Sequence, residues 1–279
     1  MNRSMNKKVL LLVISCLSIS YTFAQSYKAN FIAALNEKKM SQAEEILKAW
    51  NLADTNDPEL YIAYFNFYTI KSQEANVLNV SGYDQKFSKM ALDFITEGIE
   101  RFPTRFDLRM AKIHMLGELK NYKAYVEEVL NMIRYSVRIQ NNWKREEFFL
   151  LDRADNMFFD AVLEYQGFLF SKGDPALYKE VIRISEEMLK FYPKNIQSLL
   201  NMSTVYVMQS EYDKSLEKLN EAIAIEPKNA ILMYNFATVY NRKGDKANAK
   251  KYYELTISHC KKDEENLKEA AKMRMAELK

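Results

Sequence analysis

The tripeptide Pro193-Lys194-Asn195 returns 34 residues later as Pro227-Lys228-Asn229. A period of that length restricts a chain to stacked pairs of helices. Shifting the sequence by the same interval sets Leu199 on Met233, Met202 on Phe236, Ser203 on Ala237 and Tyr206 on Tyr240. Further along, Ser215 meets Ala249, Leu219 meets Tyr253 and Ala222 meets Thr256, while Asn201 meets Asn235. Large residues fall on large ones and small on small. Leu199, Met202 and Tyr206 are spaced i, i+3, i+7, one stripe of a helix, and Leu219, Ala222 and Ile223 mark a second helix. The polar stretches 209–214 and 242–246, the latter with Gly244-Asp245, read as the turns between them.

This arrangement resembles the tetratricopeptide repeat. Leu199, Met202-Ser203, Tyr206, Ser215, Leu219, Ala222 and Pro227 fill one copy, residues 196–229. Met233, Phe236-Ala237, Tyr240, Ala249, Tyr253 and Thr256 fill the next, residues 230–263, where Lys261 stands in place of the proline. The resemblance implies an all-α fold: an α-α superhelix, a right-handed solenoid of antiparallel helix pairs with a C-terminal capping helix. It implies a protein or peptide ligand, no catalysis and no cofactor. In the family the first helix of each pair lines the concave face. The corresponding residues here are Gln197, Leu200, Thr204 and Met208, then Ile231, Tyr234, Thr238 and Asn241 with Arg242 beside it. Some family members clamp a carboxylate with Lys and Asn on these helices. Leu200 and Thr204 occupy those places and only Asn235 fits, so no such clamp is expected.

Six glycines and five prolines are few for a β-rich or loop-rich chain. The prolines punctuate. Pro58 and Pro175 follow Asp57 and Asp174, as a helix cap followed by proline in the first turn, and Pro103, Pro193 and Pro227 follow helical runs. The first 24 residues differ: Arg3, Lys7 and Lys8 precede the apolar run 9–19, and Thr22-Phe23-Ala24 ends on a small residue. That is the layout of a secretory signal peptide cut after Ala24, and the run is short for a membrane span. The alternative is a lipid anchor at Cys16, since Val13-Ile14-Ser15-Cys16 loosely resembles a bacterial lipobox, although Leu17, Ser18 and Ile19 continue the apolar run beyond it. Arg3, Lys7 and Lys8 account for the whole excess charge of +3. The remainder is balanced, which speaks against a nucleic-acid partner. Cys16 leaves with such a leader, and Cys260 alone forms no internal disulfide.

Upstream of the clear copies, 26–38 and 41–51 read as a helix pair, with Ser41 and Glu44 as a capping box. Residues 58–72 form a helix that is apolar nearly all round, and 73–83 is a loop insertion. Helix 84–101 carries Ala91, Ile95, Gly98 and Pro103 at the spacing of Ser215, Leu219, Ala222 and Pro227. Segments 104–119 and 122–140 form another pair, 145–171 an extended helix bearing Phe148 and Phe149, 176–191 the next helix, and 263–279 a terminal cap. About six pairs and a cap fit the length. The expected organisation is a leader (1–24), degenerate repeats (25–140) and regular repeats with the cap (141–279).

Nothing in the chain marks a reaction centre. His114 and His259 have no partner at metal-ligand spacing, and His259-Cys260, adjacent on a helix, point apart. No phosphate-binding glycine loop or nucleophile elbow occurs. The 18 tyrosines and 16 phenylalanines suit packing between helix layers, with some free to grip an extended peptide. The sequence therefore predicts an exported, non-enzymatic binding scaffold of the periplasm or cell envelope, membrane-linked only by association or lipid. The alternative is a structural subunit of an outer-membrane assembly or secretion complex. Neither the partner nor the oligomeric state is written in it.

Overall fold

The computed structural model describes residues 26–75, 82–145 and 154–278. Among these, every regular element is helical apart from one isolated bridge between Arg105 and Lys144. The helices are α1 (26–36), α2 (Met40–Ala53), α3 (Pro58–Ala75), α4 (Gln85–Arg101), α5 (Phe106–Glu118), α6 (Tyr122–Arg138), α7 (Ala154–Ser171), α8 (Pro175–Phe191), α9 (Ile196–Met208), α10 (Tyr212–Ile225), α11 (Ala230–Lys243), α12 (Lys246–His259) and α13 (Glu265–Ala276). They follow one another as pairs, α1–α2 to α11–α12, with α13 last. This is an all-α, tetratricopeptide-like architecture. The leader with Cys16, and Phe148 and Phe149, lie outside the described residues, as do 76–81 of the expected loop insertion.

Two kinds of junction make the pairs. Within a pair, one residue goes left-handed: Lys38, Lys120, Ser210 and Gly244 have φ of 57°, 56°, 60° and 84°. In each case the next amide reaches back five residues to a carbonyl: Lys39 to Ala34, Asn121 to Leu116, Glu211 to Tyr206 and Asp245 to Tyr240, at 2.8, 2.9, 2.8 and 2.9 Å. This 6→1 bond satisfies a helix-end carbonyl and reverses the chain. Only Gly244 adopts the turn without steric penalty. Between pairs, the repeated tripeptide ends on a cap. The Asn195 and Asn229 side chains accept from the amides of Ser198 and Leu232 at 2.8 and 3.1 Å, the interaction that favours Asn at this position. Asp57 does the same for the amide of Glu59 at the head of α3, and within a pair Asp174 accepts from the amide of Ala176 at the head of α8.

The matched positions are the core. Leu199, Met202, Ser203, Ser215, Leu219 and Ala222 are buried, as are Met233, Phe236, Ala237, Ala249, Tyr253 and Thr256. Small residues let the paired helices close. Ser203 and Ser215 meet hydroxyl to hydroxyl at 2.7 Å, where the next copy has Ala237 and Ala249. Gly98 is tighter: a Cβ there would lie 2.7 Å from Tyr61 Cβ.

The helices gather into two compact units. One holds the chain to Glu128 together with Ile139–Ala154, the other Val129–Arg138 with Asp155 onward. In the first unit α3 packs against α2 and α4 and buries Leu60, Tyr61, Tyr64, Phe65 and Phe67, as its all-round apolar sequence requires. Trp50 of α2 donates its indole N–H to Asp57, the cap of α3, at 3.1 Å. An ion network links three first helices: Lys28 pairs with Glu59 at 2.6 Å, Glu59 with Arg105 at 2.6 Å, and Arg105 with Asp107 at 2.7 Å.

Four local expectations change. The capping box at Ser41 and Glu44 does not form. The left-handed turn at Lys38 starts α2 at Met40 with Lys39 as its cap, and Glu44 pairs with Lys48 and Lys71 instead. Helix α3 runs to Ala75 rather than 72. No helix starts at Arg145. Lys144 instead bonds back to Thr104 and Phe106, and Trp143 is buried with its ring 5.2 Å from Phe106. The terminal helix is divided into a 3₁₀ turn, Lys262–Glu264, and α13.

Two tests follow from this packing. Gly98→Ala gains about 1 kcal/mol of helix propensity but forces α3 and α4 apart, at about 1–3 kcal/mol for overpacking, so thermal melting should show a lower midpoint. Gly167→Ala in α7, where a Cβ meets nothing within 4 Å, should raise it. The second test concerns pH. Burial pushes the Glu59 carboxyl up, but hydrogen bonds from Lys28 and Arg105 outweigh it and hold it below the ordinary 4.5. A depressed folded-state value means stabilisation that is complete above the ordinary value and lost as pH falls through the folded one. Glu59→Gln should therefore lower the melting midpoint at neutral pH, and the variant and wild-type curves should converge in acid.

Candidate functional site

The candidate face lies within the second unit, on the first helices α9 and α11. Their inward stripes are consumed by the core, which leaves the opposite stripe at identical places in the repeat. Gln197, Thr204, Met208, Ile231, Asn241 and Arg242 are exposed, and Leu200, Tyr234 and Thr238 half-buried. Leu200 packs against the cluster shared by α9, α10 and α11. Tyr234 is held by a T-shaped contact with Tyr253 at 5.6 Å and by a hydrogen bond from Arg274 of α13. Thr204 and Thr238 donate to the carbonyls of Leu200 and Tyr234 in their own helices. The face therefore has a fixed floor, Leu200 and Tyr234, and an exposed rim.

Beneath it runs a buried chain of amides. Gln197 Nε2 donates to Asn201 Oδ1 at 3.0 Å, Asn201 Nδ2 to Gln166 Oε1 at 2.7 Å, and Gln166 Nε2 to Ser185 Oγ at 2.7 Å and to the Val181 carbonyl at 3.1 Å. It ties α9 to α7 and α8. One repeat later Asn235 has no glutamine to meet: its Nδ2 turns to the Ile231 carbonyl at 2.9 Å. Matching Asn201 to Asn235 in the sequence found the position. It could not find the partner, because Gln166 lies 35 residues upstream on a helix without consensus.

The electrostatics of this face are simple. Helix α9 contains no charged residue, and α11 none before Arg242-Lys243. Lys243 itself pairs with Asp213. The second helices carry the charge: Asp213, Lys214, Glu217, Lys218 and Glu221 on α10, and Lys246, Lys250, Lys251 and Glu254 on α12. Short of Arg242 the face carries no carboxylate, amine or imidazole, so it presents apolar and uncharged polar surface. Elsewhere, His259 Nδ1 lies 3.0 Å from Ser258 Oγ and 2.9 Å from the Leu255 carbonyl. Burial, with Glu264 and Glu265 nearby, pushes the Cys260 thiol up, away from the thiolate that a nucleophile needs. Among the described residues no group of three or more His, Cys, Asp or Glu is placed to hold a metal ion. No described helix is long and apolar enough to cross a membrane.

No known family profile matches the chain. A probable UDP-N-acetylglucosamine–peptide N-acetylglucosaminyltransferase, SEC, of Arabidopsis thaliana is 30% identical over 98 residues, 35% of this chain. The chain spans 10% of that protein's length. Among solved structures, YrrB, a TPR protein with an unusual peptide-binding site, is similar at a TM-score of 0.40 and 14% identity, over 81% of this chain and 97% of that one. PilF of Pseudomonas aeruginosa gives 0.39 and 12%, over 84% and 90%. A tetratricopeptide repeat protein of Parabacteroides merdae gives 0.38 and 16%, over 85% and 80%. At these scores none of the three carries a conclusion about what this chain binds.

The amide chain makes a direct prediction. Asn201→Leu leaves the buried Gln166 oxygen without its donor, at about 1–3 kcal/mol. Gln166→Leu with Asn201→Leu should cost less than the two single changes together, because neither amide is then orphaned by the other. Denaturant unfolding of the four proteins in a double-mutant cycle reads that difference.

Proposed function

We propose that this chain is a non-catalytic scaffold that binds a protein or peptide segment on the first-helix face of its repeats, in the bacterial cell envelope. One observation carries the reading. Gln197, Leu200, Thr204 and Met208 recur as Ile231, Tyr234, Thr238 and Arg242, so the same side of two successive first helices stays open above a fully packed frame. A rigid face of this kind is ordered before its ligand arrives, so little entropy is lost on binding. The envelope location rests on the leader: Arg3, Lys7 and Lys8, the apolar run 9–19, and Ala24. Cys16 favours a second reading, a lipid-anchored structural subunit of an outer-membrane assembly or secretion complex. The two part at the mature N-terminus, which mass spectrometry reads as Gln25 in the first case and as a lipidated Cys16 in the second.

The binding reading is tested by placing a photo-crosslinking residue at Thr204, at Ile231, or at Lys250 on the exposed side of α12, in the producing cell. The first two positions are expected to capture a polypeptide and the third not. Capture at Lys250 with none at Thr204 or Ile231 would move the interface to the second helices and sink the proposal.

A further inference from the structure

We infer that the face formed by α9 and α11 takes an extended polypeptide segment free of charged side chains, anchored by apolar side chains at Met208 and Ile231; this rests on the binding reading above and specifies its ligand. The first ground is charge. In a chain of which 28% is charged, solvent-facing positions are where charge normally gathers. Here it gathers on α10 and α12 and is missing from α9 and from all of α11 before Arg242. A cationic group brought onto such a face gives up its hydration and meets no carboxylate on either helix, and an acidic one meets arginine only at the edges, Arg242 at the end of α11 and Arg274 of α13. An uncharged one loses little, so the face discriminates by omission.

The second ground is the placing of the apolar groups. Met208 is 48% exposed and Ile231 46%, the large hydrophobic side chains that α9 and α11 leave to solvent. Ile231 stands at the start of α11, the repeat equivalent of Gln197, whereas Met208 stands at the end of α9. By repeat equivalence they are offset along the helix direction by eleven residues, roughly 17 Å at 1.5 Å per residue. An extended chain covers that in about five residues at roughly 3.3 Å each. Between those two levels lie Leu200 and Thr204 of α9 and Tyr234 and Thr238 of α11. The Thr204 and Thr238 hydroxyl oxygens, whose protons go to their own helices, can accept from the N–H groups of a crossing backbone, and Leu200 and Tyr234 give it a floor. Arg242 sits at the rim, where it keeps its water.

The test uses the purified full chain and an array of short peptides, about eight residues long so as to exceed the span. One set is built from Leu, Ile, Phe, Met, Ser, Thr, Asn and Gln. Matched sets carry Asp and Glu, or Lys and Arg, at two positions. The uncharged set should be retained. Its affinity should change less than about twofold between about 50 and about 500 mM salt, where binding led by ion pairs would be screened. Met208→Asp and Ile231→Asp should each weaken retention about tenfold or more at an unchanged melting midpoint, while Met208→Leu should retain it. Selection of the acidic or basic set with salt-sensitive affinity overturns this inference and leaves the binding face standing. Uncharged peptides held equally by both aspartate variants overturn the assignment to this face. Retention of no set overturns the inference together with the binding reading beneath it.

Discussion

Everything in this protein depends on how closely the two helices of a pair can approach. The distance is set by small residues at fixed places: Ser203 against Ser215, Ala237 against Ala249, and Gly98 against the Cβ of Tyr61. A larger side chain at any of them separates two helices whose large residues interlock on either side, since packed interiors hold no spare volume. The serines show how strict the requirement is. A hydroxyl buried without a partner is unfavourable, yet Ser203 and Ser215 are tolerated because each is the other's partner at 2.7 Å. Ser72 and Ser88 solve the same problem between α3 and α4.

Given that approach, the two junctions fix direction. A left-handed residue followed by a 6→1 hydrogen bond reverses the chain inside a pair, and an Asn or Asp cap starts the next. The geometry outlasts its sequence signal. Lys38, Lys120 and Ser210 adopt the conformation in which Gly244 is at ease, so tertiary packing overrides local preference at three of these turns. At the head of α5 the cap position of the repeated tripeptide holds Arg105 in place of Asn. Its side chain is withdrawn into the protein, where Glu59 and Asp107 neutralise it. A buried cation persists only where its partners are built in.

Function enters through what this frame leaves over. The exposed sides of α10 and α12 carry solvated charge, and their other sides pack into the core. The first helices α9 and α11 keep one side that is neither. Its exposed residues are uncharged as far as Arg242, its floor is pinned by Tyr253 and Arg274 around Tyr234, and the Gln166–Asn201–Gln197 amides hold α9 from beneath.

The sequence alone determined the helix pairs, their period, the caps at Asp57 and Asp174, and the buried small and large positions of the two clear copies. Each of these follows from spacing along a single helix or from a side chain bonding its own backbone, and both are local. It missed the left-handed turns at Lys38, Lys120 and Ser210, because no residue type there announces them. It also missed the return of Trp143 onto α5 and the partnership of Gln166 with Asn201. It began a helix at Arg145, where the chain is instead bent, because apolar spacing does not reveal where a chain turns. The Trp143–Phe106 and Gln166–Asn201 contacts join residues far apart in sequence, and only the packed tertiary structure, which decides which buried groups can meet, could place them.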